Sequence, residues 1–366
     1  MKFLCTKDNL ITGLSAVVHI ASRNSSLPIL NNILLKTSKI GLEISATNLE
    51  VAIKTVVRGK VEQEGAIVVQ GKLIFDWVVL AASEKIEIEA DGTNLNLLAG
   101  KRKAIIRGVA AEEFPVIPEI ESGLSFSANN QELTKALSGV ALAVNNDESR
   151  PEISGIFLKK QNHVLFFVGT DSYRLAEAKI TTTNEQDVQT IVPLRTIQEL
   201  VRIAAGNNEE TTVFVSDNQI LFVIGDTKIT SRVIAGQYPD YQQIIPQQHN
   251  TKLVVETNQL IQAVKAASLF VRSGINDVKL IYSSITKELT VASNNAQVGE
   301  GATELSLINS EGETVEIVFN YRYLLDGLTV MVTDQTEIKI NNSTTPAVLT
   351  PIKQTDYFYI IMPIRQ

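Results

Sequence analysis

The sequence predicts an α+β fold made of three copies of one unit, each with two helices packed on largely antiparallel sheets. Three recurrences carry that expectation: an alternating strand running into an amphipathic helix, a strand ending in a hydroxyl residue followed by Asn or Asp, and a second helix. All three return at offsets close to 123 residues, too long a period for a solenoid, whose repeats run roughly 20 to 45 residues.

The opening strand of each copy is Lys2 to Thr6, Leu124 to Ala128 and Lys252 to Glu256. A polar turn and a helix follow, with its apolar stripe at Leu10, Leu14, Val17, Val18 and Ala21 in the first copy. The stripe returns at Leu133, Leu137, Val140, Ala141 and Val144, and again at Leu260, Val264, Ala267, Ser268 and Val271. Leu10 and Leu133 are 123 residues apart, Leu133 and Leu260 are 127 apart. Thr47, Thr170 and Ser293 then follow one another at 123 residues each, so the extra residues before Leu260 are compensated inside the third copy.

The second helix opens at Val69-Gln70-Gly71-Lys72, Val192-Pro193-Leu194-Arg195 and Val318-Phe319-Asn320-Tyr321. Strand pairs with turns at Asp91-Gly92 and Asp217-Asn218 come next in the first two copies, which both close on an aromatic-proline pair, Phe114-Pro115 and Tyr238-Pro239. The linkers are Val116 to Gly123 and Gln247 to Thr251, giving domains 1-120, 124-246 and 252-366. A stripe that covers one sheet face implies two layers, and the dominance of strands after each helix implies antiparallel pairing. Such units leave sheet edges open, and a closed circle of copies removes them.

Composition narrows the function classes. A chain of 366 residues exceeds one ordinary core. It is 44% hydrophobic and 20% charged, with no apolar run long enough to span a bilayer and no signal-like start, which points to a soluble cytoplasmic protein without a membrane partner. Cys5 is the single cysteine and reads as a small strand residue. A net charge of −7 argues against gripping nucleic acid over the whole surface, though not against a local basic lining.

No motif for catalysis is present. There is no glycine-rich phosphate loop and no dinucleotide fingerprint. His19, His163 and His249 lack second ligands at metal spacing, and Asn145-Asn146-Asp147-Glu148 lacks the Gly and closing Glu of a calcium loop, so neither a metal nor a cofactor is expected. Trp77 has core spacing in the second helix. Arg23, Arg150 and Arg272 each follow the first helix of their copy, and Lys72, Lys135, Arg195, Arg202 and Lys265 lie on expected helices. They are either solvated helix faces or a weak lining that touches phosphates without reading bases. The tail Tyr357 to Gln366 is strongly apolar. A core strand there should stop near Pro363, leaving Met362 and Ile364 to line a surface pocket.

With these residues in view, the chain resembles the bacterial DNA polymerase III beta subunits, the sliding clamps, over its whole length. The most specific pieces are Met1-Lys2-Phe3, Leu27-Pro28-Ile29-Leu30, Thr170-Asp171-Ser172-Tyr173-Arg174-Leu175-Ala176, Tyr238-Pro239-Asp240-Tyr241 and Met362-Pro363-Ile364-Arg365. The resemblance implies three DNA-clamp domains, a head-to-tail homodimer closed into a ring around double-stranded DNA, and no catalysis. It implies DNA contacts at Arg23 and Arg150, and a dimer seam with Ile106 against Leu269 and Phe270.

It also implies an apolar cleft for short linear peptides of the DNA polymerase III catalytic subunit, the clamp loader, other polymerases, ligase and mismatch-repair proteins. That cleft would hold Ile153, Thr170, Ser172, Arg174, Leu175, Pro239, Gln243, Ile244, Pro346, Val348, Ile360, Met362, Pro363, Ile364 and Arg365. Three positions depart from the well-known members: Gln243 replaces an arginine, Ser172-Tyr173 a Gly-His pair, and Gln366 a terminal Leu. A hydrolase with paired carboxylates would need two Asp or Glu in one copy that the others lack, and no such asymmetry is seen. A protein-interaction scaffold without DNA is the remaining alternative, and it would be indifferent to Arg23 and Arg150.

Overall fold

The computed structural model of the chain describes residues 1–21, 27–118, 120, 123–145, 147, 149–182, 186–271 and 274–365. Arg23, Asn146, Glu148, Arg272, Gln366 and part of the first linker lie outside the described residues.

The first copy runs β1 (Lys2–Thr6), α1 (Lys7–Val18), β2 (Asn32–Ser38), β3 (Gly41–Thr47), β4 (Val51–Val57), β5 (Lys60–Gln63), β6 (Gly65–Gln70), α2 (Gly71–Val79), β7 (Lys85–Asp91), β8 (Asn94–Ala99) and β9 (Arg102–Arg107). The second runs β10 (Leu124–Asn129), α3 (Asn130–Ala141), β11 (Gly155–Gln161), β12 (Val164–Thr170), β13 (Arg174–Thr181), β14 (Val188–Pro193), α4 (Leu194–Ala204), β15 (Glu210–Val215), β16 (Gln219–Ile224) and β17 (Thr227–Arg232). The third runs β18 (Thr251–Glu256), α5 (Thr257–Ala267), β19 (Asp277–Ser283), β20 (Glu288–Asn295), β21 (Gly299–Ser306), β22 (Asn309–Gly312), β23 (Val315–Asn320), α6 (Tyr321–Val330), β24 (Gln335–Ile340), β25 (Ala347–Pro351) and β26 (Tyr357–Ile361). Among the described residues the order is one pattern written three times, with a short extra strand, β5 or β22, in the outer two copies.

Every described strand pair is antiparallel, in four sheets with the orders β5-β1-β7-β8-β9, β10-β15-β16-β17-β4-β3-β2-β6, β14-β11-β12-β13-β26-β25-β24-β18-β22 and β21-β20-β19-β23. The two larger sheets each join strands of two copies, through β17 on β4 and β26 on β13. The second copy therefore divides its strands between two sheets. Compact units follow the sheets accordingly: one is Met1–Asn130 with Arg202–Val233, the other Gln131–Val201 with Ile234–Gln366.

In the first unit, Thr6 caps α1 by accepting the Asn9 amide at 3.3 Å, and Asp8 sits in the first turn where the helix dipole favours an anion. Leu10, Leu14 and Val17 are fully buried, each contributing about 2 kcal/mol. The other end of α1 is held by Arg202, whose guanidinium donates to the Ser15 carbonyl at 3.0 Å and the Ala16 carbonyl at 2.7 Å. This satisfies carbonyls that a helix end leaves open. On α2 the buried positions are Gly71, Ile74 and Val78; Trp77 is half-buried rather than central to the core, because it lies off that stripe. Cys5 is buried, and burial pushes its thiol pKa up to about 12, so it packs and does not react.

In the second unit, α5 and α6 pack on each other, α5 against β20 and β21, and α6 against β23 and β26. Gly327 makes the last contact possible: a Cβ there would sit 2.6 Å from ring carbons of Tyr359. Among the described residues, no helix is long and apolar enough to cross a membrane.

Candidate functional site

The turn between β12 and β13 is built by its own side chains. Thr170 Oγ1 donates to the Arg174 carbonyl at 2.6 Å and accepts the Ser172 amide at 3.1 Å. Asp171 Oδ1 accepts the amides of Tyr173 (2.9 Å) and Arg174 (3.0 Å). Ser172 is thereby held at φ +77°, a left-handed conformation that costs a non-glycine residue energy and that these four bonds stabilise. Thr170 spends its hydroxyl on the turn, so its part in the site is to shape it.

Arg174 ties this turn to α6. Its Nε donates to Asp171 Oδ2 at 3.0 Å, its Nη1 pairs with Asp326, and its guanidinium lies 4.4 Å from the centre of the Tyr323 ring. Tyr359 on β26 donates its hydroxyl to the Tyr323 carbonyl at 2.8 Å, which fixes α6 to the tail strand.

Beneath the turn is an apolar cluster of Ile153, Val168, Leu175, Ile191, Tyr238, Tyr241, Val348 and Ile360. The Tyr238 ring stacks on Phe157 with centroids 4.7 Å apart and planes 8° apart, and meets Tyr241 edge-on at 6.5 Å. Tyr241 donates to Glu177 Oε2 at 2.6 Å. Burial pushes the Glu177 carboxyl above the usual carboxylate range, and the Tyr241 hydrogen bond opposes only part of that shift.

The tail does what its sequence suggests, with one addition. β26 ends at Ile361, yet the Met362 amide still bonds the Tyr173 carbonyl and the Ile364 amide the Val318 carbonyl, both at 2.8 Å. Pro363, between them, has no amide to satisfy. Tyr359, Ile360 and Ile361 are all buried, because this strand is covered on both faces. The anchored tail, with Ser172 and Tyr173, walls a cleft of about 550 Å3.

Twelve of the fifteen expected cleft residues fall into three groups. Ile153, Leu175, Val348 and Ile360 belong to the buried apolar cluster; Ser172, Met362, Pro363, Ile364 and Arg365 line the open cleft; Pro239, Gln243 and Ile244 are exposed on the segment that carries Tyr238 and Tyr241. Pro346 is half-buried one residue before β25, and Gln243 Nε2 donates to Asp240 Oδ2 at 2.9 Å. Arg150 donates to Ser172 Oγ at 2.7 Å and lies 3.5 Å from Glu152, which puts it beside the cleft. Ile275, Asn320 and Tyr323 also line the cleft, and the sequence pattern does not place them there. Asn320 does carry a local signal, that of a helix cap. Its Oδ1 caps α6 by accepting the Arg322 amide at 3.0 Å.

Among the helix bases, Arg202 is committed to α1 and Lys72 pairs with Asp76 at 3.0 Å, so neither is an unengaged lining charge. On β9, Ile106 is 5% exposed and faces the core, whereas Ile105 is 69% exposed. Leu269, just past α5, is 75% exposed, and Phe270 packs over Gly301.

The comparisons with known proteins agree with this geometry along the whole chain. Family models of the DNA polymerase III beta subunit match as its N-terminal domain over residues 1–118, its central domain over 127–240 and its C-terminal domain over 242–365. The chain belongs to the DNA polymerase III beta subunit family. It is 31% identical to the beta sliding clamp of Synechococcus elongatus, covering 100% of this chain and 99% of that one. It is 26% identical to the beta sliding clamp of Bacillus subtilis over the full length of both. Among solved structures, the sliding clamp from Bacillus subtilis superposes with a TM-score of 0.95 at 26% identity, over 100% of this chain and 99% of that one. The beta subunit from Thermotoga maritima gives 0.94 at 27%, with the same coverage. As a beta subunit the chain is a sliding clamp, a non-catalytic processivity factor of DNA replication that works with DNA and the replicative polymerase.

Proposed function

We propose that two copies of this chain close head to tail into a ring around double-stranded DNA, and that the tail cleft takes short linear peptides of proteins that travel with it. In this reading each chain contributes clamp domains 1-120, 124-246 and 252-366. The cleft serves the polymerase III catalytic subunit, the clamp loader, other polymerases, ligase and mismatch-repair proteins, in the cytoplasm.

The sheet ends carry the reading. The last strand of the second copy, β17, pairs with β4 of the first, and the last strand of the third, β26, pairs with the equivalent strand β13 of the second. Among the described residues, the last strand of the first copy, β9, and the third-copy counterpart of β4, β21, have no partner on that side. Each is what the other lacks. β9 exposes Arg102, Lys103 and Arg107, while β21 exposes Glu300 and Glu304. Made once in each direction between two chains, that pairing closes, buries Ile105 and Leu269, and leaves neither of these two edges open. Ile106, Leu269 and Phe270 belong to this seam, with Ile105 as its outward side chain.

A ring holds DNA by topology, so weak phosphate contacts suffice, which suits a chain of net charge −7. Arg23 and Arg150 are read as such contacts. The cleft has the volume and apolar lining of a site for leucine and phenylalanine anchors.

Sedimentation tests the seam. Lys103→Glu and Glu304→Lys should each weaken the dimer by about tenfold or more, and their combination should restore it. A dimer indifferent to all three contradicts this seam.

A further inference from the structure

We propose, resting on the reading of the tail cleft as a peptide site, that the chain carries a second and smaller cleft where β17 meets β4. It takes an extended peptide segment by one aliphatic side chain of leucine or isoleucine size.

The 123-residue repeat reproduces the frame of the tail cleft here bond for bond. Thr47 Oγ1 donates to the Val51 carbonyl at 3.1 Å and accepts the Leu49 amide at 3.0 Å, as Thr170 does with Arg174 and Ser172. Asn48 Oδ1 accepts the amides of Glu50 (3.1 Å) and Val51 (2.8 Å), as Asp171 does with Tyr173 and Arg174. Leu49 and Ser172 share φ +77°. The strand seams match as well, with Ala52 opposite Thr230 and Leu175 opposite Ile360. One residue beyond each seam, the Arg232 amide bonds the Glu50 carbonyl at 3.0 Å as the Met362 amide bonds Tyr173.

Within this frame lies a cavity of about 300 Å3 whose lining includes Leu49, Pro115, Val116, Ile117 and Pro118. The four turn bonds hold Leu49 left-handed as they hold Ser172, and the residue is 50% exposed, so a leucine is presented to solvent where the other turn has a serine. Val116 is 92% exposed, and Pro115 and Pro118 restrict the backbone around it. Two apolar side chains are thus presented to solvent at the mouth of the cavity.

The lining also sets the ligand class. Ala52 and Thr230 stand where the other seam pairs Leu175 with Ile360, and a cavity of about 300 Å3 admits one aliphatic anchor and not a pair. Glu50 and Arg232, both exposed at its margin, carry opposite charges and select for neither sign. The third copy does not repeat this frame among the described residues. Its Ser293 hydroxyl bonds the Ala267 carbonyl instead, and β20 runs on until Asn295 pairs with Gly299.

Methyl NMR on the full chain, labelled at Leu, Val and Met, tests this with a short glycine-serine peptide carrying one central leucine and with its alanine counterpart. The leucine peptide should shift the Leu49 and Val116 methyls saturably, with a dissociation constant on the order of a millimolar, and the alanine peptide should not. Leu49→Gly, which suits the left-handed backbone and so keeps the fold, should abolish the Val116 shift, and Val116→Asp the Leu49 shift. Unshifted Leu49 and Val116 methyls, or shifts that survive both substitutions, overturn the second cleft. The Met362 methyl reports on the tail cleft separately, so a failure there is read apart from a failure here.

Discussion

The guanidinium of Arg174 lies over the ring of Tyr323, 4.4 Å from its centre, while its nitrogens hold Asp171 and Asp326. One side chain thus joins the cleft turn to the helix that supports the tail. Asp171 is only 7% exposed, so removing its cation leaves a buried carboxylate unpaired. Arg174→Ala should cost about 3 kcal/mol in urea unfolding and reduce partner-peptide affinity at least about tenfold. Arg174→Lys should recover only part of both, since an ammonium cannot span two carboxylates and a ring.

Glu177 gives a pH signature. Burial raises its carboxyl pKa in the folded chain, so the folded state holds this proton to higher pH than the unfolded chain does. Stability from this group is complete below the ordinary glutamate range and falls as pH rises through the raised folded value. Glu177→Gln should therefore match the parent at about pH 4 and exceed it at about pH 8. Denaturant midpoints across that range decide the matter, and a parallel pair of curves would deny Glu177 this role.

Tyr241→Phe isolates the partner. It deletes the 2.6 Å bond to Glu177 and leaves the edge contact to Tyr238 in place. The expected loss is about 2 kcal/mol at neutral pH, shrinking as the carboxyl is protonated. A loss unchanged by pH would assign the effect to packing instead.

Gly327→Ala strikes the tail from behind. The added methyl would lie 2.6 Å from Tyr359 ring carbons, and that ring cannot retreat without losing its bond to the Tyr323 carbonyl. The variant should lose about 1 to 3 kcal/mol and bind partner peptides more weakly, because β26 carries Met362 and Ile364 into the cleft. Calorimetry and peptide titration on one preparation check both.

Local features were legible in the sequence, because alternation and helical stripes are local signals. The strands at Lys2 and Leu124 and the buried stripe of Leu10, Leu14 and Val17 lie where the pattern puts them, and the strand expected from Lys252 begins one residue earlier, at Thr251. Non-local choices were not legible. That β17 would pair with β4 and β26 with β13 depends on strands far apart in the chain, and Arg202 reaches α1 across 187 residues to Ser15. Ile106 and Ile105 show the limit of a period-two pattern, since either parity of the strand offers an isoleucine and only packing decides which faces inward. In the cleft, the tail announced itself by composition and the turn residues came through the family resemblance, whereas Tyr323 and Ile275 entered through tertiary placement alone.

Encirclement makes retention on DNA depend on whether the DNA has ends. The dimer is placed on a nicked circular duplex by its loader, free protein is removed by gel filtration, and half of the sample is cut once with a restriction enzyme. Retention on the circle and loss from the linear form is the result expected of a ring that slides. Equal retention, or equal loss from both forms, would contradict it.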